Sequence, residues 1–126
     1  MSRRWTGTLG SVQRYLRLRR AEDFQRLRRV GMTYSHRLMI LSITQNERMH
    51  NRYGFIVGKQ VGKAVTRNRV RRRLREVVRA LHPQLKPGFD VVLIARAALA
   101  EQPFDEMMRT VSELFRRAEL FQGDVS

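Results

Sequence analysis

Cysteine is absent from the 126-residue chain, which excludes disulfides, thiolate zinc sites and cysteine nucleophiles. No apolar run approaches the roughly 20 residues that span a bilayer, and the N-terminus lacks the continuous apolar block of a secretory signal. Acidic residues are few, since 11 stand against 26 basic ones and the formal net charge is +15. We therefore expect a cytoplasmic protein whose partner is a polyanion, either a nucleic acid or an anionic membrane.

The length of the chain supports one domain with a single core, and its 42% hydrophobic content is typical of a folded protein. We expect a flexible basic arm over residues 1–19, a single RNA-binding domain over 20–122 and a short tail over 123–126. The arm is rich in arginine and poor in acid. This composition is typical of RNA-binding arms, and also of organelle transit peptides.

The order of patterns along the chain predicts an α+β fold. Residues 20–30 place acids first, arginines last and a glycine just beyond, the charge order that a helix dipole favours. Apolar runs predict strands at 36–44, 52–59 and 89–96, the first two joined by a polar turn and the last buried on both faces. Two later segments have helical periodicity, one ended by Pro83 and one behind Asp105 and Glu106. The expected architecture is a two-layer sandwich of a small mixed sheet with three helices.

The first of these later helices carries an unusual charge pattern. Its apolar stripe recurs at helical spacing and consists of Val70, Leu74, Val77, Val78 and Leu81. The opposite side is predicted to point straight outward and consists of Asn68, Arg72, Arg75 and Arg79, flanked by Arg69, Arg71 and Arg73. Arg67 is expected at the start of the helix, where Lys59 and Lys63 can join it from the preceding loop. Like charges one turn apart cost a helix roughly 0.2–0.5 kcal/mol per pair, and only Glu76 offers an opposite charge.

Four interpretations of this basic face compete. A merely solvated face would normally mix both signs of charge, and a membrane-surface helix would carry Trp and Phe on its apolar side. A DNA-recognition helix would be surrounded by helices rather than by predicted strands. RNA is favoured, because arginines on a convex helix that packs against a sheet suit recognition of phosphate and shape.

Residues able to catalyse are scarce. His36, His50 and His82 lie in separate segments and are expected to be surface or packing residues, and the acidic pairs at Glu22/Asp23 and Asp105/Glu106 are explained by helix dipoles. We assign no catalytic residue and no metal ligand to this chain. Asn68 is open to two interpretations, since its amide can read hydrogen-bond patterns in a ligand or can cap and order the first helical turn.

The stretch GKAVTRNRVRRRLR, residues 62–75 with Lys59 before it, resembles the RNR motif of the bacterial ribonuclease P protein subunit. AEDFQRLRRVG resembles that family's first helix, FDVVLIAR its last strand and VSELFRRAEL its closing helix, so that roughly residues 15–121 are covered. The resemblance implies the small protein partner of a catalytic RNA that removes the 5′ leader of precursor tRNA by magnesium-dependent hydrolysis. It also implies a left-handed βαβ crossover of the ribosomal-protein type, which pattern alone would not suggest.

The resemblance assigns residues to two RNA contacts. The catalytic RNA would be bound by Lys59, Lys63, Arg67, Asn68, Arg69, Arg71, Arg72 and Arg75. The precursor-tRNA leader would be bound in a cleft between the first helix and the sheet by Phe24, Arg28 and Phe121, with Mg²⁺ held mainly by the RNA partner.

Some cleft positions depart from the family. Arg28, Met39 and Ser42 stand where family members commonly have aromatics, and Phe121 can equally be a core residue. Two alternatives from other functional classes are a non-catalytic basic ribosome-associated or RNA-assembly protein, and a nuclease that acts without RNA.

Overall fold

The structure is a computed structural model that describes residues 31–123. The predicted arm, the predicted helix over 20–30 and the last three residues of the predicted tail lie outside this range. The described strands are β1 Met32–Ser35, β2 Met39–Gln45, β3 Arg52–Ile56 and β4 Phe89–Ala95, and the α-helices are α1 Ala64–Leu81 and α2 Phe104–Arg117. Short 3₁₀ turns lie at Lys59–Val61, His82–Gln84 and Ala97–Glu101.

The four strands form one mixed sheet in the order β1-β2-β4-β3. The β1/β2 and β2/β4 pairs are antiparallel, whereas β3 and β4 are parallel and are joined through α1. Parallel neighbours need such a crossover connection. The two consecutive strands β2 and β3 are therefore not neighbours, although the polar segment between them was predicted to be a simple turn.

Strand β1 was not predicted. It comprises only Met32–Ser35, lies at the edge of the sheet and has mostly exposed side chains. An edge strand of this length needs no apolar run, which is the signal on which the other strands were found. The mixed α+β architecture is confirmed, with one strand more than the three that were predicted.

Both described helices pack on the same face of the sheet. The predicted stripe of α1 is buried in full, and α2 contributes Met107, Val111, Leu114 and Phe115 to the same core. In β4, four apolar side chains from the two faces are buried, namely Val91, Val92, Leu93 and Ala95, as its unbroken apolar run predicted. Pro83 lies just past the end of α1, inside a 3₁₀ turn, so the predicted end of this helix is also confirmed.

Met39 and Ser42, the two strand positions where family members commonly have aromatics, lie on opposite faces of the sheet. Met39 is fully buried on the helix side, whereas Ser42 pairs with Val92 and is half-buried on the other side. Side chains three residues apart in a strand point to opposite faces. Met39 is therefore a core residue and not part of any cleft on the face of Ser42.

A buried ion pair joins β3 to β4. Arg52 donates from Nε to Asp90 Oδ1 at 2.9 Å and from Nη2 to Oδ2 at 2.7 Å, and Asn46 Nδ2 donates to Oδ1 at 2.8 Å. The Asp90 side chain has no exposure to solvent. A buried carboxylate is tolerated only when its lone pairs are satisfied in this way. Sequence patterns did not indicate this network, because its members come from three separate segments.

Candidate nucleic-acid interface

The turn that leads into α1 depends on a glycine. Gly62 has φ 151°, and a Cβ built there would lie 2.9 Å from Thr66 Cγ2. The helix then begins at Ala64 with Lys63 as its N-cap residue, without a side-chain cap and without an acid in the first turn. Asn68 is therefore a full turn inside the helix, and the interpretation of Asn68 as a cap is wrong.

Three arginines near the start of α1 are bonded to the protein itself. Arg67 Nε donates to the carbonyl oxygen of Gly62 at 3.1 Å, and Arg69 Nη2 donates to that of Ala100 at 3.4 Å. Arg71 donates from Nη1 to Asn68 Oδ1 at 3.0 Å and from Nη2 to the carbonyl oxygen of Val57 at 3.4 Å. These contacts hold three guanidinium groups close to the end of the sheet before any ligand binds.

The other residues of the predicted basic face differ in exposure. Lys59, Lys63, Asn68 and Arg72 are exposed, whereas Arg75 and Arg79 are half-buried. Arg79 leans toward Glu76, with 3.6 Å between Nη2 and Oε1. The predicted outward row is thus correct for its first two members only, because a helical wheel gives the direction of Cβ while a long side chain can lie back along the surface.

Two further arginines lie at the same end of the sheet. The carboxyl ends of β3 and β4 meet there, and the 3₁₀ turn at Lys59–Val61 lies against the turn at Ala97–Glu101. Arg96, directly after β4, is exposed and donates its backbone N–H to the carbonyl oxygen of Leu38, next to the exposed Arg37. Sequence reasoning did not single out these two residues, although a basic residue at the end of a buried strand was the available signal.

The residues assigned to the leader are not brought together within the described range. Phe24 and Arg28 lie outside it. Phe121 is half-buried on the helix side of the sheet, with its ring centroid 6.3 Å from that of Phe115 and 5.5 Å from Cζ of Arg116. It lines a groove of about 260 Å³ at the C-terminal end of α1, together with Leu81, Gln84, Ser112, Arg116 and Gln122.

His82 has a packing role. Tyr53 Oη lies 2.6 Å from His82 Nδ1, at the C-terminal end of α1, and Asn51 Nδ2 donates to the same hydroxyl at 3.3 Å. Burial, with a smaller contribution from the charge of His50, lowers the pKa of His82 from 6.5 to about 4, and burial raises the pKa of Tyr53. At neutral pH this pair is uncharged, and a neutral hydroxyl and a neutral imidazole share the hydrogen bond.

Within residues 31–123 there is no cluster of three or more His, Cys, Asp or Glu side chains that could hold a metal ion. In the same range no helix is both long enough and apolar enough to cross a membrane. Asp105 and Glu106 lie in the first turn of α2, where they oppose the positive end of the helix dipole.

The family follows from a match over most of the chain. A model of the ribonuclease P family matches residues 12–119. The chain belongs to this ribonuclease P protein family. Curated relatives agree: the ribonuclease P protein component of Roseiflexus castenholzii is 48% identical over 116 residues, covering 91% of this chain and 95% of its own. That of Chloroflexus aurantiacus is 41% identical over 108 residues, with coverage of 85% and 80%.

Solved ribonuclease P proteins have a similar fold. The protein from Staphylococcus aureus superposes with a TM-score of 0.79 at 26% identity, covering 85% of this chain and 98% of its own. The protein from Thermotoga maritima gives a TM-score of 0.74 at 28% identity, with coverage of 80% and 96%. As a ribonuclease P protein component, the chain is part of an endoribonuclease of tRNA 5′ processing that also contains RNA.

Proposed function

We propose that the basic face of α1 binds the catalytic RNA subunit of ribonuclease P, and that the chain helps this RNA to remove the 5′ leader of precursor tRNA. The observation that carries the proposal is the charge of α1, which has seven arginines and one glutamate on a helix whose other side is buried. Arginine is well suited to phosphate, and its charge lowers the repulsion between two RNAs. The residues that we propose to bind the RNA, directly or through a neighbouring side chain, are Lys59, Lys63, Arg67, Asn68, Arg69, Arg71, Arg72 and Arg75.

We place the leader contact at Phe24, Arg28 and Phe121. Aromatic and arginine side chains stack on unpaired bases without strict sequence preference, which suits a leader of variable sequence. At Phe121 an aromatic ring and an arginine already adjoin, since Arg116 Cζ lies over the ring, 5.5 Å from its centroid. We also propose the finer fold that goes with this site, namely a third helix over 20–30 and a left-handed crossover from β3 through α1 to β4, both of which an experimental structure would test.

We assign the hydrolysis itself, and most of the Mg²⁺ that it requires, to the RNA. The protein would contribute positive charge and binding contacts to the RNAs. We place it in the cytoplasm, because a chain without cysteine is chemically suited to reducing conditions. This division of labour is supported by the roles of the histidines, since His36 accepts a hydrogen bond from the backbone N–H of Leu38 and His82 contacts Tyr53.

The decisive experiment incubates precursor tRNA with Mg²⁺ and the protein, with and without the catalytic RNA encoded in the same genome. Faster leader removal only when both subunits are present supports the proposal, whereas cleavage by the protein alone would overturn it. A Phe24→Ala variant then tests the leader site. It should lose affinity for precursor tRNA relative to mature tRNA, and equal binding of both RNAs by wild type and variant would favour an RNA-assembly protein.

A further inference from the structure

Asn68 and Arg71 lie about one turn apart on the solvent side of α1, and their side chains are bonded to each other. Arg71 Nη1 donates to Asn68 Oδ1 at 3.0 Å, while Nη2 donates to the carbonyl oxygen of Val57 at 3.4 Å. Two of the five N–H groups of this guanidinium are thus engaged with the protein. The guanidinium group is therefore held by one acceptor from its own helix and one from the segment that follows β3.

We propose that Asn68 is a positioning residue, which orients Arg71 toward a phosphate of the catalytic RNA. The inference rests on the proposed function and assigns separate tasks to the members of the basic face. Ordering a long arginine side chain on binding costs conformational entropy, and a guanidinium that is already held loses less of it. Asn68 therefore contributes to RNA affinity through Arg71.

The chemistry of the acceptor explains why an amide suits this position. A carboxylate would hold Arg71 more tightly, but its negative charge would repel the phosphate that Arg71 is to bind. Arg79, two turns further along the helix, has a carboxylate as its partner instead of an amide. The Glu76 carboxylate lies 3.6 Å from Arg79 and partly neutralises its charge. A neutral acceptor orients Arg71 and leaves its charge available.

The test is a double-mutant cycle on affinity for the catalytic RNA, with Asn68→Leu, Arg71→Met and the double variant. Asn68→Leu keeps the size of the side chain and removes the acceptor, and we expect binding to weaken about five- to tenfold. In the Arg71→Met background the same change should have almost no effect. Additive losses, or a single Asn68→Leu variant that binds like wild type, would overturn the proposal.

A matched control cycle pairs Asn68→Leu with Arg72→Met. Arg72 is an exposed neighbour on the same helix, and Asn68 Oδ1 accepts its bond from Arg71 instead. This cycle should be additive, and coupling as large as that with Arg71 would contradict a specific orienting bond. Thermal unfolding of each variant separates loss of fold from loss of binding, and Asn68→Ala replaces Asn68→Leu if the latter does not fold.

Salt dependence gives a second readout that a purely structural role would not change. Arg71→Met should lower the slope of log affinity against log salt by about 0.7–0.9, the value for one phosphate contact. Asn68→Leu should leave the slope unchanged, because no charge is removed. An unchanged slope for Arg71→Met would contradict the phosphate contact, whereas failure of wild type to bind the RNA at all would instead refute the proposed function.

Discussion

Helices α1 and α2 bury equivalent apolar stripes in one core, yet their solvent sides follow opposite rules. Helix α2 has balanced charge, with acids in its first turn and arginines in its last. Helix α1 has seven arginines, one glutamate and no acid in its first turn. The arrangement in α2 is the one that favours an isolated helix, so α1 departs from local electrostatic preference along its exposed side, except at the Glu76–Arg79 pair in its last turns.

This difference indicates where the function lies. Natural sequences are locally consistent with their fold except where a site requires otherwise, and a departure confined to one of two similar helices marks that site. In the proposed complex, RNA phosphates would neutralise the arginines of α1 and relieve their mutual repulsion. Helix α2 then serves as an internal reference, because a change that matters for RNA in α1 should have little effect at the matching place in α2.

The largest effect should be common to both helices. Leu74 in α1 and Leu114 in α2 are both fully buried. Leu74→Ala and Leu114→Ala should each lower the free energy of unfolding by about 2–5 kcal/mol, measured by urea denaturation. The exposed control Val65→Ala should change it by less than about 0.5 kcal/mol. If only one of the two substitutions lowered the free energy of unfolding, the apolar sides of the two helices would not be equivalent.

The next effect should separate the helices. Replacing Lys63 and Arg72 with alanine should weaken binding to the catalytic RNA about 10- to 100-fold and reduce the salt slope by about 1.4–1.8, since two phosphate contacts are lost. The matched variant in α2 replaces the exposed Arg109 and Arg117 and removes the same charge. Filter binding at several salt concentrations should detect less than about a threefold loss, because distant charges are screened. Equal losses would mean that net charge alone matters.

A smaller effect is expected when α1 is given an acid in its first turn, as α2 has. Val65 is 78% exposed in the first turn of α1, and Val65→Glu places an acid there, four residues before Arg69. We expect the free energy of unfolding to rise by about 0.3–1 kcal/mol while RNA affinity falls. Val65→Gln separates charge from shape in the same two measurements. The proposal is that helix stability and RNA affinity place opposite demands on the charge of this turn. A variant with both higher stability and higher RNA affinity would contradict it.

The smallest effect concerns the C-terminal end of α1, where His82 is uncharged while α2 ends in charged arginines. The pKa of His82 is about 4 in the folded chain and 6.5 ordinarily, so between these values the unfolded chain binds a proton that the folded chain does not. Stability should fall as the pH is lowered through this window. His82→Gln keeps a hydrogen-bonding side chain next to Tyr53 and removes the group that titrates in this window. The melting temperature of the variant should therefore decline less from pH 7 to pH 5 than that of the wild type. Some decline should remain, because acidic residues titrate in both proteins.

Much of the fold was predictable because it depends on periodicity. The stripe of α1, the stop at Pro83 and the buried run of β4 are local patterns, and all three were confirmed. Strand β1 was not predicted because it is short and exposed. The order of strands in the sheet was not predicted because strand pairing is not a local property of the sequence. The predicted helix over 20–30, with Phe24 and Arg28, lies outside the described residues.

The candidate site was predicted as a set of residue types and not as an arrangement. The sequence by itself determined that α1 is amphipathic, that its outer side is arginine and that its partner is a polyanion, because charge and period are carried by the residues themselves. Only the tertiary structure decided that Arg67, Arg69 and Arg71 bond to carbonyl groups of neighbouring loops, that Arg71 also donates to Asn68 Oδ1, and that Met39 belongs to the core. The bonds of these arginines to the loops, like the burial of Met39, depend on segments that only folding brings together, and the direction of each long side chain is set by the acceptor that it finds there.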